Sequence, residues 1–352
     1  MSHGSATPAA TVPDVSMDSH GGTVTVLRLF AYAMVAVAFA FVLNNFLTYW
    51  GDWPGLAKLA GHLGWNSKPQ SLAGGDLLLA WIQVALYVLP VLALAVLIRR
   101  TPNRQLHDDA DMLTDIGGYL IRAAFWAVLM IGIVDMLISF LRVEGLLPDV
   151  VGKELAGDLG RSAFRGTYVH YPLMALALVI AWFQRSLGFT WLAALIVFAE
   201  LQIVIARFIF SYEQAFMADL VRFWYGALFL FASPYTLIQE GHVRVDILYT
   251  GFSNRGKAWT NAAGSLFLGA PFCWVILVMG LGGKANVING PLLSFEVTQA
   301  GFGMYVKYML AGFLLIFALS MLIQFMSYLL SSAAVLLREP GYEPDMSEHA
   351  AI

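Results

Sequence analysis

The chain has 352 residues, of which 59% are apolar and only 12% charged, against the roughly 25% charged of a soluble domain. Lys and Arg number 20 and Asp and Glu 23, so the formal net charge of −3 gives no footprint for nucleic acid or for an acidic ligand. Cys273 is the single cysteine, which excludes an internal disulfide and a thiolate metal cluster.

Residues 1–22 are rich in Ser, Thr, Gly, Pro and Ala and hold no Lys or Arg. They lack the basic start and apolar middle of a signal peptide and are expected to form a disordered tail. A bilayer core of roughly 30 Å asks for about 20 apolar helical residues, and eight segments qualify. The first covers 24–47 and runs into Tyr49, Trp50 and Trp53, an aromatic belt at headgroup level. The second, 77–98, follows Asp76, a suitable N-cap, contains Pro90 and closes on Arg99 and Arg100. An acidic connector over 108–111 precedes the third, 119–141, which carries Asp135 well inside. A loop of mixed charge leads to the fourth, 168–183, and the turn 185–188 to the fifth, 189–210, with Glu200, Gln202 and Arg207.

The sixth segment, 219–238, opens on Asp219 and Arg222 and contains Pro234. The polar stretch 239–249 follows, in which His242, Arg244 and Asp246 alternate with Val243, Val245 and Ile247. That alternation fits a half-buried clamp at a membrane surface, touching a partner protein or lipid phosphates. Residues 253–257 cap the entry to the seventh segment, 258–281. Ser294 and Glu296 stand before the eighth, 305–330, where they suit helix-start chemistry. The end of the chain is acidic, interrupted by Pro340 and Pro344, and expected to be solvated.

The expected fold is therefore all-α, a polytopic membrane bundle of about eight transmembrane helices. Four regions are expected: a disordered tail at 1–22, a four-helix membrane region at 23–187, a second at 188–332 and a cytoplasmic tail at 333–352. Counted over all loops, Lys and Arg are nearly tied between the two sides, because the third connector holds Arg142, Lys153, Arg161 and Arg165. The positive-inside rule therefore does not orient the chain by itself. The short connectors with Arg99, Arg100, Arg104, Arg185, Arg244, Arg255 and Lys257 share one side, which is taken as cytoplasmic together with both termini.

Asp135, Glu200 and Gln202 lie at membrane depth, where an ionised group costs several kcal/mol unless it is paired. Asp135 and Glu200 are thus expected to find interhelical partners. Arg207, Asp219, Arg222 and Glu296 fall on the opposite, periplasmic side as candidates for contact with a soluble protein. The sequence shows no nucleophile with a base, no metal-ligand spacing and no pair of intramembrane histidines for haem, so no enzyme or cofactor is expected.

Over 191–330 the chain resembles the small permease subunit, DctQ type, of tripartite ATP-independent periplasmic (TRAP) transporters. The resemblance is carried by Gln202 and Arg207, by Asp219-Leu220-Val221-Arg222, and by Gly241-His242-Val243-Arg244-Val245-Asp246. It implies a non-catalytic subunit of the bacterial inner membrane, a fixed scaffold for a large permease subunit. That partner would hold the sodium and substrate sites of a sodium-coupled importer, and a periplasmic binding protein would deliver an organic acid. The four N-terminal spans have no counterpart in that resemblance. The competing expectation is a self-sufficient eight-helix carrier or channel, which calls for broken half-helices with converging polar groups.

Overall fold

The structure is a computed structural model that describes residues 21–66, 70–185, 188–212, 215–238, 249, 251–298 and 303–339. Among them the regular elements are all helical: α1 (Gly21–Tyr49), α2 (Gly55–His62), α3 (Gly75–Arg100), α4 (Leu106–Val143), α5 (Leu147–Val151), α6 (Lys153–Leu159), α7 (Ser162–Arg165), α8 (Tyr171–Phe183), α9 (Phe189–Phe210), α10 (Ala215–Ile238), α11 (Asn254–Gly264), α12 (Ala270–Leu281), α13 (Asn289–Ser294) and α14 (Lys307–Leu337). Eight stretches are long and apolar enough to cross a bilayer, with α7–α8 and α11–α12 each forming one continuous span.

Two of these spans are joined by a π-helical turn, Gly166–His170 before α8 and Ser265–Gly269 before α12. Each turn is followed by a proline, Pro172 or Pro271, at the start of the next helix. A proline has no N–H and its ring crowds the carbonyl four residues back, so the helix widens by one residue there. Each turn also contains a glycine at a close approach. A Cβ on Gly166 would stand 2.2 Å from the Phe295 ring, and one on Gly269 2.6 Å from Phe325.

α4 and α14 are the central pillars and pack along each other. α14 is the most enclosed span, with 56% of its apolar window buried against 11% for α3 and 17% for α9, which stand at the rim. One core gathers α1, the first half of α4, α11, α12 and α14 around Leu113, Cys273, Leu277, Leu322 and Met326. The other gathers the second half of α4, α8, α9, α10 and the start of α14 around Phe125, Ile131, Phe223, Phe231 and Phe313. Three of the four N-terminal spans, α1, α4 and α7–α8, thus share these cores with the C-terminal ones, while α3 packs on α1 outside them. α10 comes close enough to α4 that a Cβ on Gly132 would stand 2.2 Å from Trp224 Nε1.

Several boundaries differ from the sequence expectation. α4 begins at Leu106, so the expected connector over 108–111 is helical. The reason is tertiary: Asp109 is buried and neutralised by Arg28 and Arg104. Asp76 lies in the first turn of α3 and is not its N-cap, a position held by Gly74 at φ +56°. There its charge favours the helix dipole without capping a backbone amide. α14 starts at Lys307 and continues to Leu337, so Ser294 and Glu296 do not begin it. Ser294 ends α13 and donates back to the Gly290 carbonyl. Ser253 does cap α11, accepting from the Gly256 amide at 3.3 Å.

Candidate functional site

The polar groups inside the bundle fall into two ionic clusters, one at each end of α4. Near its C-terminal end, Asp135 and Ser139 are one turn apart and fully buried. Arg165, at the end of α7, brings Nη1 to 2.8 Å from Asp135 Oδ1 and 3.1 Å from Ser139 Oγ. His170, placed by the π turn, sets Nε2 at 3.2 Å from the same Oδ1 and Nδ1 at 2.7 Å from the Tyr308 hydroxyl. Asp135 Oδ2 accepts the Tyr305 backbone N–H at 2.8 Å. Both carboxylate oxygens are therefore occupied and the charge is matched by Arg165, the arrangement that lets an ionised group persist without water.

Tyr305 seals this cluster. Its ring lies 4.2 Å from the Arg165 guanidinium and 4.6 Å from that of Arg142, as cation–π contacts. Its hydroxyl receives a hydrogen bond from Arg142 and donates to the Gly160 carbonyl at 2.8 Å. Arg142 also donates to the Gly303 carbonyl at 2.9 Å. An imidazole that donates its Nε2 proton to Asp135 leaves Nδ1 to accept from Tyr308. The cluster joins α4, α7 and the first π turn to the start of α14.

At the other end, the buried Arg28 of α1 reaches Asp109 with Nε at 2.5 Å and the Thr101 carbonyl with Nη1 at 2.7 Å. Arg104 Nε and the Tyr32 hydroxyl meet Asp109 Oδ1 at 2.7 and 2.9 Å. Glu339, just past α14, accepts the amides of Leu106 and His107 at 2.6 and 3.2 Å, a carboxylate cap on the first turn of α4. The start of α1 and the end of α14 thus meet at one end of the bundle. A neutral clasp holds α1 to α3 and α2: Gln83 donates to Asn44 and Thr48, both at 2.9 Å, and accepts from Gly55 N at 2.9 Å.

Of the positions singled out in the sequence, Asp135 is the only one fully buried in such a cluster among the described residues. Asp219, inside α10, accepts from Met304 N at 3.1 Å and Thr298 at 3.4 Å, with the exposed Arg222 at 3.6 Å. Glu296 pairs with Lys307 at 2.6 Å in a partly exposed bridge. Glu200, Gln202 and Arg207 are exposed on α9, and among the described residues none of them has an ion pair or hydrogen-bonded partner. The expected interhelical partner of Glu200 is therefore absent there, because α9 packs on α10 through Leu192, Ile196 and Ala199 and leaves Glu200 beside that seam. His242, Arg244 and Asp246 lie outside the described residues.

The sequence reading missed Arg28, Asp109, Arg165, His170, Tyr308 and Gln83 as buried polar groups. Arg28 carried a signal, a lone base within an apolar run. Arg165 and Asp109 had none, since each sits among residues that read as a solvated loop.

Eight apolar spans with their buried charges paired across helices define a multi-pass membrane protein. Residues 193–334 match the family of tripartite ATP-independent periplasmic transporters, DctQ component. Over that range the chain is similar to the DctQ component, and the matched stretch is preceded by four further helices long and apolar enough to cross a membrane. No curated protein and no solved structure matches the chain.

Proposed function

We propose that this protein is the small, non-catalytic membrane subunit of a TRAP-type, sodium-coupled importer of organic acids in the bacterial inner membrane. It acts as a fixed scaffold for the large permease subunit, which holds the sodium and substrate sites, while this chain carries no cofactor. A periplasmic binding protein delivers the substrate on the side of the membrane to which Arg207, Asp219, Arg222 and Glu296 are assigned. Both termini then face the cytoplasm, where His242, Arg244 and Asp246 touch the permease or lipid phosphates.

The observation that carries this reading is the DctQ match joined to the pairing of the buried charges. A carrier needs polar groups free to exchange partners with a solute; Asp135 and Asp109 have each oxygen already engaged by this chain. A scaffold needs the reverse, a bundle whose polar groups lock it.

The test is reconstitution in liposomes under a sodium gradient. The protein alone is expected to accumulate no organic acid, and uptake is expected once the large permease and the binding protein are added. Accumulation by the protein alone would overturn the reading.

A further inference from the structure

α9 is a 22-residue span at the rim of the bundle, and Glu200 lies at its middle, roughly 15 Å from either end at 1.5 Å per residue. Leu192, Ile196 and Ala199 form its buried stripe against α10. Glu200 follows Ala199 by one residue and so flanks that stripe by about 100°. Arg207, two turns later, shares the flank, whereas Gln202 lies on the other. The outermost face is apolar, with Phe198, Leu201 and Phe208 all exposed. Lipid suits that outer face. It does not suit a carboxylate at mid-depth.

α3 is more open still than α9, but its charges, Asp76, Arg99 and Arg100, lie at its two ends. α1 and α12 pack on α14, and α4 is covered by α8, α10 and α14. At the α9–α10 seam Glu200 stands at mid-depth with no partner among the described residues; Arg122 of α4 also lacks one, but it is half-buried inside the bundle, not on an open face.

We propose that the Glu200 flank of α9 is the seat of a transmembrane helix of the large permease subunit, and that this helix sets a basic side chain against the Glu200 carboxylate. The proposal rests on the subunit assignment made above. Charge complementarity fixes the chemistry of the occupant: a base at mid-depth opposite Glu200, and an acid or acceptor near the end of the span opposite Arg207. A lipid headgroup cannot supply the first, since it stays at the surface. A second copy of this chain pairing symmetrically through α9 would set Glu200 against Glu200, which is repulsive.

The experiment purifies the complex through a tag on this chain from cells making the large permease. Glu200→Gln is expected to lower permease recovery roughly tenfold, and Glu200→Lys to abolish it; Leu201→Ala, on the outer face, leaves recovery unchanged. Independently, with Glu200 intact, a nitroxide on Val204→Cys, one turn along the flank, should lose oxygen accessibility on assembly while one on Leu201→Cys keeps it. Buried Cys273 is not available to the label. The nitroxide pair decides the matter if a charge variant fails to elute as folded protein. Unchanged recovery for both charge variants, or a label at Val204 that stays open to oxygen in the complex, overturns the seat and leaves the subunit assignment standing. Close label-to-label distances between two copies at Val204 overturn it in favour of self-association. If the parent chain retains no permease, both the seat and the assignment fall.

Discussion

The Tyr308 hydroxyl and His170 Nδ1 lie 2.7 Å apart in the buried interior, and through them α14, inside the DctQ match, is joined to the π turn of the fourth span, outside it. His170 passes the link on to Asp135 at 3.2 Å. The additional spans are therefore fastened to the DctQ-like region by shared polar groups as well as by packing. Tyr308→Phe removes one hydrogen bond from that chain and is expected to cost about 1 kcal/mol of bundle stability, measured by reversible unfolding in mixed micelles.

Breaking the ion pair behind that link should cost more. Arg165→Met leaves Asp135 ionised and without its buried cation, and a loss of about 3 kcal/mol is expected. Adding Asp135→Leu should recover a large part of it, because the uncompensated charge then disappears. A single variant as stable as the parent would show that the pair carries no structural load.

The contact between Gly132 and Trp224 offers a steric test. Gly132→Ala places a methyl group where the indole nitrogen now sits, so α4 and α10 must separate, at an expected cost of about 2 kcal/mol. Trp224 Nε1 has no hydrogen-bond partner among the described residues, so Trp224→Phe removes no bond there. Combining it with Gly132→Ala should cost less than the sum of the two single changes, and additive losses in a double-mutant cycle would count against the close contact.

Glu339 caps α4 from beyond the end of α14. Glu339→Ala is expected to cost about 1 kcal/mol and to raise hydrogen exchange at the amides of Leu106 and His107, with little effect at Asp135. Protection that persists at those two amides would mean that the helix start does not need the carboxylate.

Hydropathy alone placed eight spans, because the cost of exposing a peptide backbone to lipid makes any apolar run of bilayer length helical. The match of α9 to residues 189–210 and the Ser253 cap were readable for the same reason: both depend on neighbours in the chain. The N-terminus of α4 was not. The acids at 108–111 look solvated until Arg28, 81 residues away, joins the neighbouring Arg104 on Asp109, and Glu339 from past α14 caps the amides of Leu106 and His107.

The sequence by itself determined that this is a multi-pass helical membrane protein with a DctQ-like second half, since both the solvent it needs and the motif it carries are properties of consecutive residues. Only the tertiary structure decided which intramembrane charges are locked and which stand open. Asp135 and Glu200 look alike in sequence, each a lone acid in an apolar run. One meets Arg165 and His170 because α4 runs through the centre of the bundle; the other faces outward because α9 stands at the rim with α10 as its main neighbour. Whether a charge is paired depends on which helices are adjacent, and adjacency is set by packing across the whole bundle.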